Sequence, residues 1–330
     1  MTSRTQVEII DRSTALALLP KRGATAHKRG VGGLVIVGGA PGYIGAPALA
    51  AMGAARSGAG IVSLAIPRSS VGATAALVPE AVFVPLPESD SGHSAQKVMQ
   101  LIAPQVEKSK ALLIGPGLSR DDAASTLLAG LFGDTAHAVS RSMGFGSMSR
   151  ESAAEPGKGL VGGTMPTVVD ADALHWLSHR ESWWTKVPRH SLVLTPHVGE
   201  LSALTIRHAD MILADPVLAA RDAAEAFGQV VVLKAGKAYI SDGAIVRTVE
   251  TAAPALATAG SGDVLAGSIG AFLAQGLTPV DAAALAVYAG TEAALRLTQE
   301  LSSLGVIASD LPEAIARTLA ELELESAGAS

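Results

Sequence analysis

The 330-residue chain contains no cysteine, which excludes disulfides, thiolate metal centres and a cysteine nucleophile. Aromatic side chains make up only 3%, too few for the stacking platforms that bind single-stranded nucleic acid. Charge is equally sparse, at 17% with a net of −5, and no basic run is longer than His27-Lys28-Arg29. A nucleic-acid partner is therefore not expected. No stretch of about 18 residues is free of Gly, Pro and charge, so no transmembrane helix is expected. The first 22 residues carry charges throughout and lack the long apolar core and cleavage site of a secretory leader. These absences predict a cytoplasmic protein that binds no membrane.

What the chain has is aliphatic: 48% hydrophobic residues, with Ala, Gly, Leu and Val in place of aromatics. Short apolar runs recur at 33–37, 60–66, 81–86, 111–115, 167–170, 191–195 and 230–234. Most are continuous instead of alternating, as strands buried on both faces of a parallel sheet read. Between them lie Ala/Leu-rich segments of helical length, such as 46–57, 93–108, 121–133 and 216–227. Such alternation predicts an α/β protein, a three-layer α/β/α sandwich around a mostly parallel sheet. Asp242-Gly243 suits the tight turn of a β-hairpin. Helices are expected afterwards, at 263–275, 279–298 and 310–323. Residues 134–166 scatter Gly, Ser, Met and Pro without period and read as a long surface loop inserted into one domain spanning 1–330.

Candidate chemistry gathers where strands end, the place ligands occupy in open parallel sheets. Gly38, Gly39, Gly42 and Gly45 follow the first strong strand. Their N–H groups can meet an anion or flat ring, or they can simply allow a tight crossover. The Lys-Ser/Thr pair of a Walker loop is missing. In Ile114–Asp122, Ser119 or Asp121 can cap the next helix. Asp170 and Asp172 stand at a strand end and helix start, where favourable charge at a helix N-terminus explains them without catalysis. His175 and His179 share a helix face, but no glutamate lies between them and no third ligand is evident, so an exposed face is read rather than a zinc site. In Thr195-Pro196-His197-Val198-Gly199-Glu200, the turn presents His197 outward. Glu200 either serves the first helical turn or joins His197 around a polar substrate or a hydrated ion. Lys234 ends a strand beside small residues, well placed to meet phosphate.

The stretch Leu256–Gly267, LATAGSGDVLAG, resembles a dinucleotide loop but fails its context, because no strand immediately precedes Gly260. A Gly260-Ser261-Gly262 turn at a helix start directs N–H groups and the helix dipole at an anion. Asp263, one residue on, can take a proton from an attacking hydroxyl. An anion hole and a base together suit phosphoryl transfer.

The ordered series HKRGVGGLVIVGGAPGYIGAPALAA, IGPGL, VVDADAL, LTPHVGE, VVLKAGKAYISDG, AGSGDVLAGSIGAFLAQGL and IASDLPEAI is similar to the ADP/ATP-dependent NAD(P)H-hydrate dehydratases. These form a branch of the ribokinase-like superfamily, and the likeness covers nearly all of residues 20–322. It implies a lyase of metabolite repair, in which a nucleotide phosphorylates the hydroxyl of hydrated NADH or NADPH (NADHX, NADPHX). Elimination of phosphate then restores the double bond. By this resemblance Asp263 activates the hydroxyl and also touches the substrate, and Gly260, Ser261 and Gly262 stabilise the phosphoryl group. Ala46, Gly117 and His197 contact the hydrated dinucleotide. Lys234, Ala235, Gly236, Lys237 and Ala238, with Gly262, hold the AMP part of ADP or ATP. Glu200 organises Mg2+ through water.

The resemblance also implies a homo-oligomer, a tetramer. Bacterial-type members use ADP, and a chain expected to stand alone, without a fused epimerase domain, is compatible with that. Several departures stand out. Ala235 replaces the Gly of the usual Leu-Lys-Gly. Tyr288-Ala289-Gly290 replaces a His-Gly pattern. Ala40 and Ile44 stand where hydroxyl residues are common. The rival expectations are a ribokinase-like vitamin or sugar kinase, which would keep its phosphorylated product, and a non-enzymatic nucleotide-binding regulator.

Overall fold

The apolar runs form strands within a residue or two of the positions their pattern predicts. Among the described residues there are ten strands: β1 (Val7–Ile9), β2 (Gly33–Val37), β3 (Ile61–Pro67), β4 (Val82–Leu86), β5 (Ala111–Ile114), β6 (Thr167–Val169), β7 (Leu192–Leu194), β8 (Val230–Ala235), β9 (Lys237–Ser241) and β10 (Val246–Thr248). The structure, a computed structural model, describes residues 5–88, 95–134, 159–163 and 165–328. Most of the predicted 134–166 insertion lies outside them. At its described end Val161 is buried, and its N–H donates to Leu131 O at 2.9 Å. That end therefore packs under a helix and is not free surface loop.

All ten strands join one sheet in the order β1-β10-β9-β8-β7-β6-β5-β2-β3-β4. From β8 to β4 every pairing is parallel. Only β9 runs against its neighbours. The hairpin around Asp242-Gly243 joins β9 to β10 as expected. A second, tighter turn at Gly236 (φ +72) joins β8 to β9. Strand β1 was not expected from the sequence. It has three residues, lies at the sheet edge and leaves Val7 and Ile9 exposed, so it carries no burial pattern to read.

The continuous apolar runs have the cause their pattern implies: β2 and β5 are fully buried. Alternate residues of β2 serve two cores. Leu34 and Ile36 face Ala50, Ile269, Phe272 and Leu285 on one side, while Val35 and Val37 share the other with Ile102, Leu128, Leu174 and Phe227. This is the three-layer sandwich. Among the described residues no helix is long and apolar enough to cross a membrane.

Strand order reverses between β2 and β5, because β2 leads outward to β3 and β4 while β5 leads the other way through β6 to β8. The crevice outside the carboxyl ends of such a pair is where this architecture takes ligands. Two helices lead away from this end, Gly45–Arg56 and Ser261–Ala274. They pack almost backbone to backbone. A Cβ on Gly267 would stand 1.9 Å from Ala50 O, and one on Gly53 would stand 2.5 Å from Val264 O. The scarcity of bulky residues here therefore fixes the two helix starts relative to each other. Gly267→Ala is expected to force the helices apart and cost about 1–3 kcal/mol, the range for overpacking. Thermal unfolding checks this, and an unchanged Tm would contradict the close packing.

Candidate functional site

At the β2/β5 switch point two glycine loops lock together. The Gly39 N–H donates to Pro116 O at 2.8 Å. Gly117 has φ +63, and a Cβ there would lie 2.6 Å from Tyr43 O and 3.1 Å from the Ala46 methyl. Only glycine fits, so Ala46 and Gly117, 71 positions apart in sequence, meet on one wall. The adjoining helix Gly45–Arg56 has no side-chain cap at Ile44. Its first N–H groups lack intrahelical partners for the same reason as at any helix start.

Gly260 caps the helix Ser261–Ala274 with φ +91, and a Cβ there would collide with Leu49 Cδ1 at 2.5 Å. The Ser261 hydroxyl donates to Leu256 O at 2.7 Å and to Thr258 O at 3.0 Å. It ties down the preceding loop, so backbone N–H groups of the turn, those of Gly262 and Asp263 foremost, are what the turn can offer an anion. Capping does not account for Asp263, because the helix has no side-chain cap. Burial pushes its carboxyl up to about 7, with the charge of Asp170 adding to the shift and Lys234 opposing it.

Lys234 lies at the centre of the site. Its Nζ is 3.2 Å from Asp170 Oδ1, and a Cβ on Gly262 would come within 3.1 Å of the same ammonium. Burial pulls the ammonium pKa down, but attraction to Asp170 and Glu200 outweighs it and the net shift is upward. Asp170 corrects the helix-start reading. Its side chain is 3% exposed and binds Lys234 and, at 2.6 Å, the Thr195 hydroxyl. Asp172 instead accepts from the Ser119 N–H at 3.0 Å and from Arg120 at 3.2 Å. Between the two acids Ala171 sits at φ 49, ψ −122. A left-handed alanine costs about 1–3 kcal/mol and persists only where surroundings enforce it. The sequence signal for Asp170 was its place at a strand end beside two others, but the partners that matter lie 25 and 64 residues away.

His197 and Glu200 form a reciprocal capping box. His197 Nδ1 accepts from the Glu200 N–H at 3.1 Å, and Glu200 Oε2 accepts from the His197 N–H at 2.8 Å. With Nδ1 an acceptor, Nε2 carries the proton and lies 3.5 Å from Glu200 Oε1, while 59% of the side chain stays exposed. Burial and Lys234 hold His197 below its ordinary value, which keeps it neutral. Burial raises Glu200 to about 7, with Asp170 adding to the shift and Lys234 opposing it. The first-turn reading of Glu200 is thus correct as far as it goes. His175 and His179 lie edge to face at 4.5 Å, and among the described residues no group of three or more His, Asp or Glu is arranged to hold a metal. Asp121 caps the helix Asp122–Phe132, accepting from the Ala124 N–H at 2.8 Å.

Beside Lys234 opens a cavity of about 490 Å3. Lys234, Ala235, Gly236, Lys237 and Ala238 form one wall, and Ser261 and Gly262 another. Val249, Val287, Leu311 and Ile315 make the remainder largely apolar, beside Gly290 and Thr291. Every residue expected to hold the nucleotide therefore lines one space, with Asp263 directly after its Gly262 edge. The Tyr288–Gly290 departure from the family pattern falls on the apolar side of this cavity, where Gly290 supplies no side chain.

A profile of the NAD(P)H-hydrate dehydratase family matches residues 34–139 and 134–317. The chain is 35% identical over 311 residues to the bifunctional NAD(P)H-hydrate repair enzyme Nnr of Moorella thermoacetica, covering 92% of this chain and 53% of that one. It thus spans about half the length of the curated relatives it matches. A ribokinase-like superfamily protein from Enterococcus faecalis V583 superposes with TM-score 0.76 at 20% identity, over 98% of both chains. The ADP/ATP-dependent NAD(P)H-hydrate dehydratase of Bacillus subtilis, crystallised with ATP/Mg2+, superposes with TM-score 0.73 at 22% identity, over 97% of this chain and 100% of that one. The chain has the ribokinase-like fold and belongs to the NAD(P)H-hydrate dehydratase family.

Proposed function

We propose that this chain regenerates NADH and NADPH from their hydrates, consuming ADP or ATP. The observation that carries this is the adjacency of Gly262 and Asp263. One residue edges the nucleotide cavity, and the next bears a carboxyl whose pKa of about 7 suits a general base. Asp263 takes the proton of the hydrate's hydroxyl as that oxygen attacks the terminal phosphorus. AMP leaves from ADP, or ADP from ATP. The Gly262 and Asp263 N–H groups of the Gly260–Asp263 turn and the Lys234 ammonium meet the phosphoryl charge. Phosphate then departs with the C–O electron pair, and loss of a proton from the neighbouring carbon closes the double bond. Lys234 to Ala238 hold the AMP part in the cavity. Ala46 and Gly117 form the hydrate's wall, and His197 offers it the Nε2 proton.

Magnesium fits this site as an ion carried by nucleotide phosphates and water, the coordination it favours, rather than by a protein cage. Both oxygens of Asp172 are engaged by Ser119 and Arg120 and Asp170 Oδ1 by Thr195 and Lys234, so Glu200, whose Oε1 is 3.5 Å from His197 Nε2, would reach the ion through water. When bound, the ion neutralises phosphate charge.

The test is recovery of reduced-dinucleotide absorbance when the protein meets NADHX or NADPHX with ADP or with ATP. Recovery with either nucleotide is expected. Absence with both refutes the reading, and a stable phosphorylated product would assign a kinase instead.

A further inference from the structure

Among the carboxylates near the site, Asp170 is the most deeply placed, and no catalytic step above uses it. Its side chain is 3% exposed, yet it does not neutralise a strand end or cap a helix. One oxygen, Oδ1, is shared between the Thr195 hydroxyl at 2.6 Å and Lys234 Nζ at 3.2 Å. Thr195 is itself wholly buried at the end of β7. Three adjacent parallel strands, β6, β7 and β8, thus contribute one residue each to a chain of contacts that ends on an ammonium. That ammonium stands against Gly262, where a Cβ would be 3.1 Å away. The backbone also makes room for the acid. Gly115 passes so near that a Cβ would stand 1.8 Å from Asp170 O, and Ala171 turns through a left-handed conformation immediately after it.

A lysine stem has four rotatable bonds, and an unrestrained ammonium would spread over several positions. Resting on the proposed function, we infer that Asp170, steadied by Thr195, is a positioning residue that fixes the Lys234 ammonium over the Gly262 turn, where the transferring phosphoryl group must pass. It touches neither nucleotide nor hydrate and acts only through the lysine. A structural ion pair would stabilise the sheet but would leave the reaction indifferent to its loss. A positioning pair must instead make the two residues kinetically inseparable.

The experiment compares Asp170→Asn, Lys234→Met and their double variant, measuring kcat and KM for ADP, direct ADP binding and Tm. Asp170→Asn keeps the shape and an oxygen for Thr195. It is expected to lower kcat by up to about 10²–10³-fold, the span of a lost transition-state contact, with a smaller effect on KM. Added to Lys234→Met it should cause no further loss of rate, and it should raise Tm by removing an unpaired buried carboxylate. Thr195→Val, which removes the hydroxyl on Asp170 but keeps both charges, should lower kcat in the same direction and should likewise have no effect in the Lys234→Met background. Wild-type rates in Asp170→Asn, or losses that multiply in the double variant, would overturn the inference while leaving the proposed function standing. If the wild type binds ADP but dehydrates no hydrate, the proposed function fails. Non-additive losses of ADP affinity would then still uphold the Asp170–Lys234 coupling.

Discussion

Asp263→Asn is expected to reduce kcat by about 10²–10⁴-fold, the contribution of a positioned general base, while the fold and ADP binding persist. The side chain caps no helix, so its exchange for an isosteric amide removes no structural contact of that kind. The wild-type pH profile should show the same group. A base with a pKa of about 7 is half protonated near neutrality, so kcat/KM should fall as pH drops below about 7. Asp170, Asp172, Lys234 and Glu200 all face this carboxyl, and Glu200 titrates at about the same pH, so the descending limb belongs to the cluster. Stability should run the other way. A carboxyl raised from 3.8 to about 7 binds its proton more tightly when folded, so its contribution is complete below about 3.8 and is lost as pH rises through about 7. Asp263→Asn should therefore raise Tm most above about pH 7, with the gain shrinking toward acid. A variant that kept wild-type kcat, or a profile flat through neutrality, would remove Asp263 from the chemistry.

Gly290→Leu is expected to raise the KM for nucleotide about 100-fold, equivalent to about 2.7 kcal/mol of binding, while increasing Tm. Gly290 is internal to the helix Pro279–Gly305 and edges the cavity, and a Cβ there meets nothing within 4 Å. The Cβ of leucine is thus accommodated, and its branch extends into space meant for the ligand. Replacing an interior helical glycine itself gains about 0.5–1 kcal/mol. Opposed signs for affinity and stability mark a ligand cavity, whereas a packing defect would lose both. Unchanged nucleotide KM, measured by steady-state kinetics, would place the nucleotide elsewhere.

The sequence was most informative where physics is local. Continuous apolar runs such as Gly33–Val37 mark strands covered on both faces, because burial on both sides leaves no reason to alternate. The Gly260–Asp263 turn announced itself because glycines and an acid at the start of an apolar helix have few structural explanations. The tertiary arrangement was less visible. Asp170 was misjudged because its meaning depends on Thr195 and Lys234, which only the parallel register brings beside it. The edge strand Val7–Ile9 left no trace because its exposed side chains obey no period. The apolar side of the nucleotide cavity was equally hidden, since it is assembled from small residues of helices that read simply as core. The close approach of Gly267 to Ala50 explains why those helices are made of Ala and Gly, a composition that by itself indicated only tight packing.

The central claim is that phosphoryl transfer to the hydrate is followed by elimination on the same protein. Its most direct measurement is the stoichiometry of products when NADPHX and ADP are supplied together. Equal amounts of NADPH, AMP and free inorganic phosphate, formed at one rate, are predicted. AMP appearing with a phosphorylated organic product, and no matching NADPH or free phosphate, would contradict it.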